Sequence, residues 1–210
     1  MIGIISFPPP SMQHRFAIMA NGRVAAIISV TFLTSISSLG LYTYISTILD
    51  NLKAPSRLHL IGGHGALGAL SGAFPLDISL TGRQPKMLMA GIIAIMALAM
   101  ICIPFALSFP MRSFLPFVLW GAMGWASQAP QQHERLRYQP EHDAAVVALN
   151  SSANYLGSAV GSSLGGIVLL AGLAPSSLPF AASCLVLAAL LVQCLIMFSK
   201  KSMRISELKK

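Results

Sequence analysis

The side chains able to do chemistry inside apolar sequence are few, and most are hydroxyls and amides. Thr31, Ser35, Ser38 and Tyr42 recur at i, i+4, i+7 and i+11, which puts them on one face of a helix. Asn150 and Asn154 head a second stripe that continues through Gly157, Gly161 and Gly165, with Ser151, Ser158 and Ser162 beside it. Leu149, Leu156, Val160, Leu164 and Ile167 fall on the opposite face. Without a neighbouring general base to activate the hydroxyls, such groups hold a solute or a neighbouring helix by hydrogen bonds and line wet cavities rather than attack bonds. Reaction chemistry has little to work with. The acids are Asp50, Asp77, Glu134, Glu141, Asp143 and Glu207, and none falls near the centre of an apolar run. The histidines (His14, His59, His64, His133 and His142) lack ligand-like spacing, and neither HExxH nor paired intramembrane carboxylates occur. No metal, cofactor or catalytic group is expected, and the chain is not expected to be an enzyme.

Composition says what positions these groups. The chain is 55% hydrophobic and 10% charged, with a mean hydropathy of +0.71, whereas a soluble domain carries roughly 25% charged residues. This is the composition of an integral membrane protein. The net charge of +8 does not point to nucleic acid, because the Lys and Arg lie between apolar runs and form no patch interleaved with aromatics. Cys102, Cys184 and Cys194 all sit in apolar segments and read as small buried hydrophobes. The start, MIGIISFPPP, lacks the basic n-region of a signal peptide and reads as an extended lead-in.

A helix needs about 20 largely apolar residues to cross the hydrocarbon. Six runs qualify, near 24–49, 58–79, 87–109, 113–131, 145–171 and 178–198. Residues 1–23 form a lead-in and 199–210 a basic tail. Arg15, Arg23, Arg83, Lys86, Arg135, Arg137 and the five basic residues of the tail fall on one side. Lys53, Arg57 and Arg112 fall on the other, so the positive-inside rule makes both termini cytoplasmic.

The runs differ in character. The first bears the hydroxyl stripe, and the fourth offers Trp120, Trp125 and Gln128 between Pro116 and Pro130. The second is glycine-rich, with Gly68 and Gly72 as a close-packing pair, and the fifth carries the Asn/Gly stripe. The third and sixth are apolar nearly all round and read as outer supports. A polar, a glycine-laced and a greasy span thus occur twice in that order. Three is odd, so the second triplet runs opposite to the first, an inverted 3+3 repeat in an all-α membrane fold.

From Gln131 to Gly166 the sequence QQHERLRYQPEHDAAVVALNSSANYLGSAVGSSLGG resembles the end of the tenth span, the cytoplasmic loop and the eleventh span of major facilitator superfamily transporters. It is most similar to their drug–proton antiporter and arabinose-efflux-permease-like branch. The resemblance runs from about Met12 to Phe198 and covers the C-terminal six-helix half of a twelve-helix carrier. It implies that the first and fourth helices line the cavity, making Thr31, Ser35, Ser38, Tyr42, Trp120 and Gln128 candidates for solute contact; Asn150 and Asn154 of the fifth run join them as intramembrane amides, which are kept where partners or water await them. It implies that the second and fifth meet the other half through Gly68, Gly72, Gly157, Gly161 and Gly165. The family's loop signature, roughly G-x-x-x-D-R-x-G-R-R, is kept in part by GAFPLDISLTGRQPK, with Asp77, Gly82 and Arg83 in place. Ala73 and Ile78 replace a glycine and an arginine, and two extra residues precede Gly82. Asp77 and Arg83 are the expected gating pair.

The expectation is half of a secondary active transporter in the cell's inner membrane, moving a drug-like compound or sugar outward by alternating access. Its partners are the lipid bilayer, a small-molecule solute and a second six-helix half, which is either a separate chain or a second copy. The alternative is a truncated, non-transporting remnant of such a carrier.

Overall fold

The structure, a computed structural model, describes Ala20 and residues 22–51, 85–106, 114–127 and 143–207. Among these residues every element is helical. The helices are α1 (Gly22–Thr43), α2 (Ile45–Asn51), α3 (Pro85–Ala106), α4 (Phe114–Ala126), α5 (Asp143–Leu170) and α6 (Leu178–Glu207), with a 3-10 turn at Pro175–Ser177. Lipid offers no water to backbone N–H and C=O groups, so apolar runs of this length close their hydrogen bonds internally as helices. Gly22–Thr43, Lys86–Ala106, Ala145–Leu170 and Pro175–Phe198 are each long and apolar enough to cross a membrane. The fourth run is described only as the shorter apolar helix Leu115–Ala126. The run 58–79, with His64, Gly68, Gly72 and Asp77, lies outside the described residues, as do Arg83 and Gln128.

Two elements differ from the sequence expectation. The first run is not one helix. The backbone tightens at Tyr44, whose N–H donates to the Leu41 carbonyl three residues back, and α2 restarts from there when Ile48 N–H reaches the Tyr44 carbonyl. The last helix continues past Phe198 to Glu207. Residues 199–207, SKKSMRISE, contain no glycine or proline to stop it.

Hydrogen bonds give the helix directions. Three side-chain bonds join α1 to α5 at the same sequence separation of 119 residues, so the two helices run parallel. α6 runs against α1, since Ser37 meets Ala182 while the later α2 lies on the Pro175–Ser177 turn. α3 runs against α6: Gln193 Nε2 donates to the Lys86 carbonyl at one end, and the Phe105 and Phe180 rings stand 5.8 Å apart at the other. Hence α1, α3 and α5 point one way and α6 the other.

The reversal from α5 to α6 is made by the end of α5. Gly172, at φ +81°, takes the left-handed conformation. Its N–H bonds the Leu169 carbonyl, and Leu173 N–H bonds that of Val168. This is the paired closure that lets a helix stop with its last carbonyls satisfied.

The main core lies where α1, α2, α3, α4 and α6 meet. Ile93, Met96, Met100, Val186 and Ala189 are at its centre. One face of α3 (Met89, Ile93, Met96, Met100, Ile103) is buried, while Ile95, Leu98 and Phe105 face outward. On α6, Leu187, Leu191, Leu195 and Phe198 do the same. The third and sixth spans therefore present an outer face and also supply the core with much of its mass.

Candidate functional site

The polar groups singled out in the sequence converge on α1. Thr31 Oγ1 donates to Asn150 Oδ1 at 2.7 Å, and Ser35 Oγ donates to Asn154 Oδ1. Farther along, Thr43 Oγ1 and Ser162 Oγ are 2.8 Å apart, and the Tyr44 hydroxyl donates to the Ser162 carbonyl. Each step on α1 is matched by an equal step on α5. The members lie on i, i+4 rows (31, 35 and 43 against 150, 154 and 162), the ridges that interdigitate when helices cross closely.

Glycines bring the backbones together between these bonds. A Cβ built on Gly40 would stand 2.6 Å from Gly161 Cα. One built on Gly157 would stand 2.8 Å from both the Phe32 carbonyl oxygen and Ser35 Cβ. At Gly161 it would strike the Ile36 carbonyl, and at Gly165 the Tyr44 ring. The Gly157–Gly161–Gly165 row, expected to meet a second six-helix unit, is thus covered by α1 of this same chain. The reason is complementarity along the row: α1 offers Gly40 and small hydroxyls where α5 offers glycines and amides. Gly40 was missed because it stands alone, without the four-residue repeat that marks α5.

The expected cavity stripe on α1 divides. Thr31 and Ser35, both buried, are spent on α5. Ser38 turns instead to α4 and accepts a hydrogen bond from Trp120 Nε1 at 2.8 Å. Tyr42 is 43% exposed. The division follows from the row: an i, i+4 ridge carries Thr31, Ser35 and Thr43 onto α5, and Ser38 and Tyr42, three residues off it, fall to one side. The tyrosine that reaches α5 is therefore Tyr44, brought round by the tightened turn. Together, α1 forms a floor with α4 on one side, through Trp120 and Gly124, and α5 on the other, through Asn150 and Asn154.

Other hydroxyls are satisfied locally. Ser29, Thr34, Ser152 and Ser163 donate to carbonyls of their own helices. Ser163 matters because Gly161–Gly165 (GSSLG) fits G-x-S-x-G, the pattern of a nucleophile elbow. Here it lies within α5, with Ser163 Oγ on the Ala159 carbonyl at 2.9 Å, and the strand-to-helix turn that exposes such a serine is not formed. Among the described residues no group of three or more His, Cys, Asp or Glu could hold a metal.

Comparison with known proteins adds one kind of relative. The chain is 28% identical over 176 residues to the inner membrane transport protein YdhP of Escherichia coli (strain K12), a match covering 81% of this chain and 44% of that protein. It is 27% identical over 176 residues to the YdhP of Escherichia coli O157:H7, with the same coverage. No family model matches the chain, and no solved structure matches it. The chain thus corresponds to less than half the length of the relatives it matches. With apolar helices able to cross a bilayer and relatives in the inner membrane, it is a multi-pass inner membrane protein.

Proposed function

We propose that the chain is a six-span module of a major facilitator-type secondary carrier, from the drug–proton antiporter and arabinose-efflux-permease-like branch. It moves a small organic solute, drug-like or sugar, outward by alternating access. The observation that carries this reading is similarity to a transport protein along 81% of the chain and only 44% of the relative. The common course of α1, α3 and α5 supports it, since that is the alternation six crossings produce. In this reading both termini are cytoplasmic, and the inverted 3+3 repeat places the site where two six-helix units face each other.

The floor on α1, walled by α4 and α5, is this module's half of the solute site, with Ser38, Trp120, Asn150 and Asn154 on it; Gln128, outside the described residues, is a further candidate from the sequence. Since α1 occupies the α5 glycine row, α1 and α5 move as one body, and the contact between units falls to the glycine pair Gly68 and Gly72. Asp77 and Arg83 gate the cytoplasmic end. The second unit is a separate chain or a second copy.

The test is efflux of dyes and sugars from cells lacking endogenous efflux pumps. The chain is expressed alone, and then beside a six-span chain that supplies the other half. Solute movement is expected in one of these pairings. No flux in either would sink the proposal and leave a folded, non-transporting membrane protein.

A further inference from the structure

Resting on the carrier reading, we infer that the solute is recognised through its oxygen acceptors, by unspent hydrogen-bond donors set along the α1 floor. Thr31 and Ser35 donate to Oδ1 of Asn150 and Asn154 respectively. Each amide oxygen thereby accepts one bond, and both N–H donors on Nδ2 stay unused. Among the described residues no group accepts from either Nδ2. Asn150 is 4% exposed, so its donors are withdrawn from solvent and unmet. A buried donor without an acceptor is costly in any interior, and inside a membrane polar groups of this kind mark solute paths. One helical turn beyond Ser35, Ser38 accepts from Trp120 Nε1 and keeps its own O–H. Every oxygen of this set already has one hydrogen-bond partner, while these N–H and O–H donors have none among the described residues. Buried Asn150 makes the closed end, and half-buried Asn154 and Ser38 lead toward exposed Tyr42.

Such a row fits an organic molecule presenting carboxylate, phenolate or carbonyl oxygens. It is mismatched to an organic cation, which would bring further N–H donors and a positive charge to the same groups.

The test uses two dyes on one xanthene frame, with the full chain in nanodiscs. Fluorescein offers carboxylate and phenolate oxygens; rhodamine 6G offers alkylammonium N–H groups and a positive charge. Fluorescein is expected to bind at least about tenfold tighter than rhodamine 6G, the scale of a hydrogen bond to a charged group. Asn150→Asp keeps the side-chain shape and the acceptor for Thr31 but removes the amide donors, and it should weaken fluorescein about tenfold. In wild-type chain labelled with nitrogen-15 at asparagine, the Asn150 side-chain N–H resonances should move on adding fluorescein, a readout that stands even where the variant fails to fold. Equal affinity for the dyes, preference for rhodamine 6G, binding of neither, unmoved resonances, or full fluorescein affinity in a folded Asn150→Asp would each overturn the inference. Fluorescein binding with this signature in a chain that supports no flux keeps the donor row and removes the carrier reading. Flux of a solute without oxygen acceptors does the reverse.

Discussion

Two of the seams between the described helices are built on opposite principles. Along α1 and α5 an apolar cluster of Val24, Ile28, Ala145 and Val146 closes one end, and beyond it the chain uses hydroxyls, amides and glycines, with backbones touching at Gly40 and Gly161. Along α3 and α6 it uses methionine, isoleucine, valine and alanine, with Met100, Ile93 and Val186 fully buried. Neither seam gains from excluding water, because lipid tails are as apolar as the side chains. The apolar seam is held by the number of close contacts, each tiny and none directional. The polar seam is fixed in register, since a slip of one residue would unpair every hydroxyl from its amide. Polar residues appear where register matters, on the helix whose face carries the candidate site, and apolar bulk appears where only mass is needed. α6 too carries polar pins, one to each neighbour: Ser37 Oγ of α1 donates to the Ala182 carbonyl at 2.7 Å, and Gln193 donates to the Lys86 carbonyl of α3.

The sharpest way to break the comparison is Gly161→Leu. Its side chain would fall on the Ile36 carbonyl and on Gly40, which are backbone and cannot swing aside. Forced overpacking of this kind costs about 3 kcal/mol or more, so α1 and α5 should part. The opposite, apolar face of α5 is unchanged and leucine inserts readily, so membrane insertion should survive. Unfolding of the purified chain in mixed detergent micelles should show the loss, and any flux should vanish. A variant of wild-type stability would mean that the backbones do not meet there.

The second cut falls on the apolar seam. Met100→Ala removes a fully buried side chain that also lies 3.4 Å from Ser37 Oγ. The expected loss is about 2 kcal/mol, the low end for emptying a packed site, because in lipid only contacts are lost. Refilling with Met100→Leu should restore most of it. If alanine costs nothing, the two seams differ less than their compositions suggest.

How much of this was legible in the sequence depends on which property is asked for. Apolar length marked runs that the four membrane-length helices overlap, because the hydrocarbon demands about 20 residues whatever they touch. The Asn/Gly stripe on α5 was legible for the same kind of reason: a four-residue repeat of small groups has little use but close packing. Its partner was not. The stripe says that a backbone comes near and is silent on whose, and lone Gly40 carries no periodic signal. Ideal 100° spacing also grouped Ser38 and Tyr42 with Thr31 and Ser35, where the helix crossing sorts them onto α4, α5 and an exposed edge. The break at Tyr44 had no signal at all, since neither glycine nor proline flanks it. Gly68, Gly72, Asp77, Arg83 and Gln128 lie outside the described residues.

A third prediction measures one rung of the polar seam. Thr31→Val, Asn150→Leu and the double variant form a cycle around the 2.7 Å bond. Interhelical side-chain bonds in lipid couple by about 0.6 kcal/mol on average and rarely by more than about 1.7. The coupling here should lie at the upper end, because both residues are nearly inaccessible. The same cycle at Thr43 and Ser162 should read lower, since Thr43 is exposed; each threonine also has its own carbonyl four residues back at a similar distance, Ile27 at 3.4 Å and Leu39 at 3.3 Å, so burial is what differs. Equal coupling at both rungs would mean that burial does not grade the seam.

The smallest effect is the one that tests whether the seam hydroxyls are special. Ser152 and Ser163 lie on α5 too, a few residues from Asn150 and Ser162, with the same side chain and a bond of ordinary length. Their hydroxyls donate to Ala148 and Ala159 of their own helix at 2.9 Å, on exposed faces. Such a bond competes with nothing and joins nothing: removing the hydroxyl leaves a carbonyl that already accepts the helix ladder. Ser152→Ala and Ser163→Ala should therefore change unfolding free energy by less than about 0.5 kcal/mol, the usual range for a surface substitution. Ser35→Ala, which strands the Asn154 carbonyl oxygen between helices, should cost more than either. Ser163→Ala also bears on the elbow-like run around it, since a serine acting as a nucleophile would take function with it when removed while stability stayed level. Flux and stability both unchanged in Ser163→Ala would place that hydroxyl with the local, self-satisfied ones. A cost there equal to that of Ser35→Ala would erase the distinction between joining two helices and merely decorating one.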